Sequence, residues 1–210
     1  MKKWKKAIAS TILGCLALAG VAQAATLGTL SYWYDSTSNN IYRWTYQPAF
    51  WSTEADTWFK DNGYNFTSWV TNSMTQWGSV RTSYGVDNSS DAQILVYGGT
   101  YNTLKNYFSP LSSSADGATV WSPSPVYEGE WNYNGSLKGG SYLRGAKVYI
   151  VGDKWFKTNS KYHNTVLHEF GHAIGWVGHS SSSSDVMYDT NTSITTLTTR
   201  DKNHLVGVYK

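Results

Sequence analysis

Between Asn65 and Val80 the chain reads NFTSWVTNSMTQWGSV, with Phe66, Trp69, Val70, Ser73, Met74 and Trp77 recurring every three or four positions. That spacing predicts an amphipathic helix packed on a sheet and closed by Gly78. From Asn39 to Pro48 bulky and polar residues alternate up to a proline, the pattern of a strand. Asp91–Gly99 (DAQILVYGG) is a short apolar run ending in two glycines, and Ala146–Gly152 (AKVYIVG) is another; both predict buried strands. A helix is expected from about Tyr162 to Ile174, where Gly175 is a natural stop. Ser181–Asp185 is a low-complexity loop, and Thr199–Tyr209 predicts a last helix with Leu205, Val208 and Tyr209 inward. Residues 100–146, rich in Gly, Pro and Ser, predict loops and short hairpins. There is no internal repeat and no linker, so the expectation is one α+β domain over residues 40–210.

The first residues have a different character. Met1–Lys6 holds four lysines, an apolar stretch runs from Ala7 to about Ala22, and Ala22-Gln23-Ala24 is a small-x-small cleavage site. Residues 1–24 therefore predict a secretory signal peptide, and 25–39 a short leader or pro-segment. The apolar run is shorter than the ~20 residues a spanning helix needs, so no membrane span is expected. Gly14-Cys15 offers a lipoprotein acceptor as an alternative, although the apolar run continues past it. The chain has 17 basic and 14 acidic side chains. Removing the four lysines of the leader leaves thirteen against fourteen, a net charge of −1. No basic stripe remains, which argues against a nucleic-acid partner. Cys15 is the only cysteine and departs with the leader, so disulfides and thiolate ligands are excluded from the expected mature chain. Any metal must be held by His, Asp or Glu.

Candidate chemistry lies in HEFGHAIGWVGHS, His168 to Ser180. Residues four apart on a helix are separated by about 400° of rotation, so His168 and His172 project from one face with converging nitrogens. Glu169 stands beside them as a base that need not ligate. Zinc hydrolysis requires three protein ligands and an open position. Gly175 can adopt a left-handed conformation and swing the chain back, making His179 the candidate third ligand. Met187 follows eight residues later; it is either a core filler or part of a tight turn flooring the site.

Together, HEFGH, His179-Ser180 and Val186-Met187-Tyr188-Asp189 resemble the metzincin zinc endopeptidases, and most of all their matrixin branch. IYRWTYQP, DAQILVYGG and LTTRDKNHLVGVY fall in the order of that branch's first strand, third strand and C-terminal helix. The resemblance covers roughly residues 40–100 and 146–210. It implies a twisted, mostly parallel sheet with an antiparallel edge strand, an active-site helix, a Met-turn and a C-terminal helix. It also implies catalytic zinc on His168, His172 and His179, with Glu169 as general base toward a zinc-activated water. Polypeptide substrate would lie extended along the edge strand, with selectivity from a pocket walled by the segment after Met187.

The departures are specific. Gly178 stands where the family's third histidine falls, and His179 follows it, as if one residue were inserted around Trp176-Val177. If His179 failed to reach the metal, Asp185 would be the substitute ligand. Residues 100–146 contain no histidine, so the structural zinc of the animal members has no ligands there. Calcium remains unassigned, with Asp116, Glu128, Glu130 and Asp153 as available oxygens. No large pro-domain is expected; Asp35 in the leader is a candidate inhibitory carboxylate or simply a turn former before Ser36. His163 is about 140° further round the helix and faces away, and His204 is a surface or packing residue.

The expected function is thus a secreted, monomeric zinc endopeptidase. Two other readings compete with it. One is a catalytically degenerate fold using its many tryptophans and tyrosines as an aromatic surface for glycans or cell wall. The other is a zinc enzyme cleaving a different amide, such as one in cell-wall peptides.

Overall fold

A computed structural model describes residues 34–35, 40–133, 136–155 and 157–209. The expected leader over residues 1–24, and the Asp35 side chain proposed for latency, lie outside the described residues; the Asp35 backbone pairs with Asn40. In chain order the elements are β1 (Tyr34–Asp35), β2 (Asn40–Arg43), β3 (Ala49–Glu54), α1 (Trp58–Asp61), α2 (Phe66–Trp77), β4 (Tyr84–Gly85), β5 (Ile94–Gly99) and α3 (Tyr101–Tyr107). They continue with β6 (Gly117–Trp121), β7 (Val126–Tyr133), β8 (Ser136–Tyr142), β9 (Ala146–Val151), α4 (Asn159–Ala173) and α5 (Thr199–Tyr209). The arrangement is mixed, in keeping with the α+β expectation. No helix among the described residues is long and apolar enough to cross a membrane.

The larger sheet has the order β4-β3-β5-β9-β6. Its first four strands are parallel, and β6 runs antiparallel to β9 at the edge. Both faces of its centre are covered, which explains why β5 and β9 are nearly continuous apolar runs. Ile94, Val96, Val148 and Ile150 face the main core with α2 and α4, whereas Tyr149 and Val151 face a smaller core with Leu104, Leu111 and Ala118. Helix α2 forms where its periodicity places it. Asn65 caps the start by accepting from Ser68 N at 3.0 Å. Gly78 closes the end, its N–H donating to Met74 O at 2.9 Å.

One expectation fails here and another holds only in part. The strand read over Asn39–Pro48 stops at Arg43, and Ala49–Glu54 enters the larger sheet as a strand of its own. Alternation could not reveal the break, because Trp44 turns inward to donate to Ala173 O rather than continuing a pleat. Residues 100–146, expected as loops and short hairpins, do include a hairpin but are otherwise more ordered. They contain α3, the edge strand β6 and the hairpin β7–β8, which joins β2 and β1 in a second sheet of order β1-β2-β8-β7. The glycines that suggested loops permit close packing instead: a Cβ on Gly140 would sit 2.1 Å from the Trp131 ring.

Candidate metal centre

Helix α4 carries the first two histidines and is anchored at both ends. Thr158 caps its start, accepting from Lys161 N at 3.4 Å. Carbonyls at its C-terminal end also accept from aromatic side chains in three distant parts of the chain. Trp121 Nε1 donates to His172 O at 3.0 Å, Trp44 Nε1 to Ala173 O at 3.0 Å, and the Tyr209 hydroxyl to Ile174 O. Gly175 then reverses the chain with φ +114°; a Cβ there would lie 2.3 Å from Tyr42 O. Gly178 adds a second left-handed turn at φ +74°. These two glycines return His179 to the helix.

His168, His172 and His179 come together, with one nitrogen of each within 4.8 Å of the others. Their ring centroids are 4.8 to 5.2 Å apart. His168 Nδ1 lies 2.9 Å from Val186 O, and His172 Nδ1 lies 2.9 Å from Trp176 O. A carbonyl only accepts, so both Nδ1 atoms carry the proton and both Nε2 atoms present lone pairs. Those Nε2 atoms are 3.1 Å apart. Two lone pairs facing each other at that distance repel unless a cation lies between them, and the donor set therefore fits a metal ion. Burial holds all three imidazoles below their ordinary pKa, His172 to about 3; His172 and His179 add to the effect at His168, and His179 adds to it at His172. Neutral imidazole is the ligating form.

Asp185, the substitute ligand, is not part of this group. Its buried carboxylate accepts from Arg200 Nε at 2.5 Å and Nη2 at 2.8 Å, from Ser180 Oγ at 2.5 Å and from Thr198 Oγ1 at 2.9 Å. Burial opposes its ionisation, but these bonds hold its pKa below the ordinary value. Among the described residues the histidine triad is the single cluster of three or more potential ligands. The oxygens considered for calcium are dispersed: Asp116 pairs with Lys157 at 3.1 Å, Asp153 accepts from Tyr101 N at 2.8 Å, and Glu128 and Glu130 lie on β7.

Glu169 is 8 % exposed. Burial raises its carboxyl pKa to about 7, against the opposing effects of Thr119 and Lys157. Thr119 Oγ1, on β6, is 2.7 Å from Glu169 Oε2 and 2.9 Å from Glu169 O. Its one proton serves either acceptor in turn. The edge strand lies directly on the helix at this point: a Cβ on Gly117 would be 2.8 Å from Glu169 Cγ and 2.9 Å from Thr165 Cγ2.

Met187 is fully buried beneath the same helix. Its Sδ would be 2.5 Å from a Cβ on Gly171, so the residue before His172 must be glycine for this contact. Asp201, at the start of α5, accepts from Val186 N at 3.1 Å and Met187 N at 3.2 Å, orienting the segment whose Val186 carbonyl holds His168. His163 bonds Asn72 at 2.9 Å, away from the triad, as its rotation on the helix requires. His204 packs against Trp176 with centroids 4.9 Å apart.

Sequence reasoning did not single out Thr119, Trp44, Trp121 or Asp201, and it placed Tyr209 inward without a hydrogen-bonding role. Each acts through hydrogen bonds to residues at least 14 positions away, which local pattern does not encode. The Asp201 pairing has one faint signal, an acidic residue in the first turn of a helix. The tryptophans themselves largely pack inside: Trp44, Trp69, Trp77 and Trp176 are buried, and among the described residues Trp155 alone is strongly exposed.

No protein-family model matches the chain, and no curated protein matches it. What its own coordinates establish is a mixed α/β fold with three histidines positioned to hold a metal ion.

Proposed function

We propose that this protein is an exported zinc endopeptidase in which His168, His172 and His179 hold the metal and Glu169 is the general base. The observation that carries the reading is the meeting of two unprotonated Nε2 atoms at 3.1 Å with a third imidazole, beside a buried carboxyl. Three imidazoles are one of the ligand sets used by catalytic zinc. Zinc held there supplies a Lewis acid that polarises a carbonyl and acidifies water at neutral pH. Glu169, with its pKa raised to about 7, accepts a proton from the attacking water at a carboxylate oxygen and passes it to the departing amine. The Thr119 hydroxyl keeps that carboxylate oriented.

Substrate orientation follows from β6. It is the last strand of the larger sheet, and an extended peptide added at its outer edge would run past Thr119 and Trp121, the residues bonded to Glu169 and His172. Backbone pairing of this type accepts many sequences. The leader expected over residues 1–24 makes secretion part of the proposal.

The test is cleavage of an unstructured protein by the purified enzyme, before and after a zinc chelator and again after zinc is restored. Loss and recovery of cleavage supports the reading. A folded, zinc-loaded protein that cleaves nothing, and whose Glu169→Ala variant behaves identically, would sink it.

A further inference from the structure

We infer that Asp185 is the positioning residue for the third metal ligand, acting through Ser180 and clamped by Arg200. This rests on the reading of the histidine triad as a metal centre. The three ligands are not held alike. His168 and His172 are each anchored at Nδ1 by a backbone carbonyl, whereas no hydrogen bond to the His179 ring is formed among the described residues. The aim of His179 is therefore set by its backbone. On its N-terminal side that backbone is loose: Gly178 is exposed, and a Cβ there would meet nothing within 4 Å.

On the C-terminal side it is tightly held. Ser180 is 3 % exposed, donates its N–H to Met187 O at 2.6 Å and donates its hydroxyl to Asp185 Oδ2 at 2.5 Å. The loop between them is Ser181 to Ser184, which has no apolar side chain with which to pack. A fully buried carboxylate at the end of such a loop needs paired charge, and Arg200 of α5 supplies it in a two-pronged contact. Asp185 thus closes the serine loop onto α5 and pins the residue next to His179. Outer partners of this kind commonly change metal affinity by about 10–100-fold when removed.

The experiment compares full-length wild type with Asp185→Asn, reading zinc affinity by competition with a chromophoric chelator and coordination by the visible bands of the Co2+-substituted protein. The expected result is zinc affinity about 10–100-fold weaker and altered Co2+ bands, with His179→Ala costing less affinity in the Asp185→Asn background than in wild type. Val70→Ala, which opens the core in α2, serves as the stability control and leaves affinity and bands unchanged. Ser180→Ala and Arg200→Lys move both readouts in the same direction by less, and they decide the matter if Asp185→Asn does not fold. Wild-type affinity and bands in the folded Asp185 variant, or in both of the milder ones, overturn the inference. Wild type that binds neither Zn2+ nor Co2+ removes the metal-centre reading itself, and the inference with it.

Discussion

The two arms of the candidate metal centre are built on opposite principles. The helical arm, His168 to His172, gets its geometry from a local repeat: any regular helix carrying that spacing aims both rings the same way. The returning arm, Gly175 to Tyr188, has no regular structure beyond the single bridge Ser180–Tyr188, and depends on contacts made across the fold. Its glycines permit the path, Met187 O and Asp185 hold Ser180, and Asp201 orients Val186 and Met187. The arms meet where Met187 lies under Gly171 and Val186 O holds His168. One arm is therefore tolerant of its surroundings and the other is made by them.

The largest expected effect belongs to the helical arm. Glu169→Ala should lower the rate of cleavage by about 10²–10⁴-fold while zinc content, measured by metal analysis, stays at the wild-type level. Simultaneous loss of zinc would show that Glu169 shapes the ligand set rather than the proton transfer.

In the returning arm, Gly175→Ala should destabilise the protein by about 3 kcal/mol or more, since φ is strained for any Cβ and the Tyr42 carbonyl occupies the space. Urea unfolding measures it. A near-neutral Gly175→Ala would mean that the turn can be made without the left-handed residue.

A third effect tests the packing between this arm and α5. Burial lowers the His204 pKa to about 4, so the folded protein resists a proton that the unfolded chain accepts below about pH 6.5. Stability contributed by this group is flat above that pH and falls as acid is added, by about 2 kcal/mol between pH 7 and pH 5. Denaturant unfolding of wild type and His204→Gln at the two pH values should show the variant losing less. Parallel losses would put the acid sensitivity elsewhere.

The smallest change is at Gly178, where a Cβ would meet open space. Gly178→Ala should cost about 1 kcal/mol, from the left-handed backbone alone. A penalty equal to that at Gly175 would contradict the looseness described on that side of His179.

The sequence by itself determined the elements whose signal is local. Periodicity placed α2, α5 and the body of α4, while apolar runs placed β5 and β9. Their C-terminal ends agree with expectation to within one residue, because stops and burial act close to the pattern that reveals them, whereas α4 begins three residues earlier than expected and β5 three later. The spacing of His168, Glu169 and His172 was legible for the same reason, and His179 was legible as a candidate beside Asp185. Only the tertiary structure separated those two, because the choice depends on Arg200 and Thr198, at least 13 residues beyond Asp185, taking its carboxylate. It also decided that the chain breaks between β2 and β3, that the β7–β8 hairpin joins β2 in a second sheet, and that Thr119 bonds Glu169 across 50 positions. Such pairings are selected by complementary groups meeting in space, and a one-dimensional pattern carries the groups without the meeting.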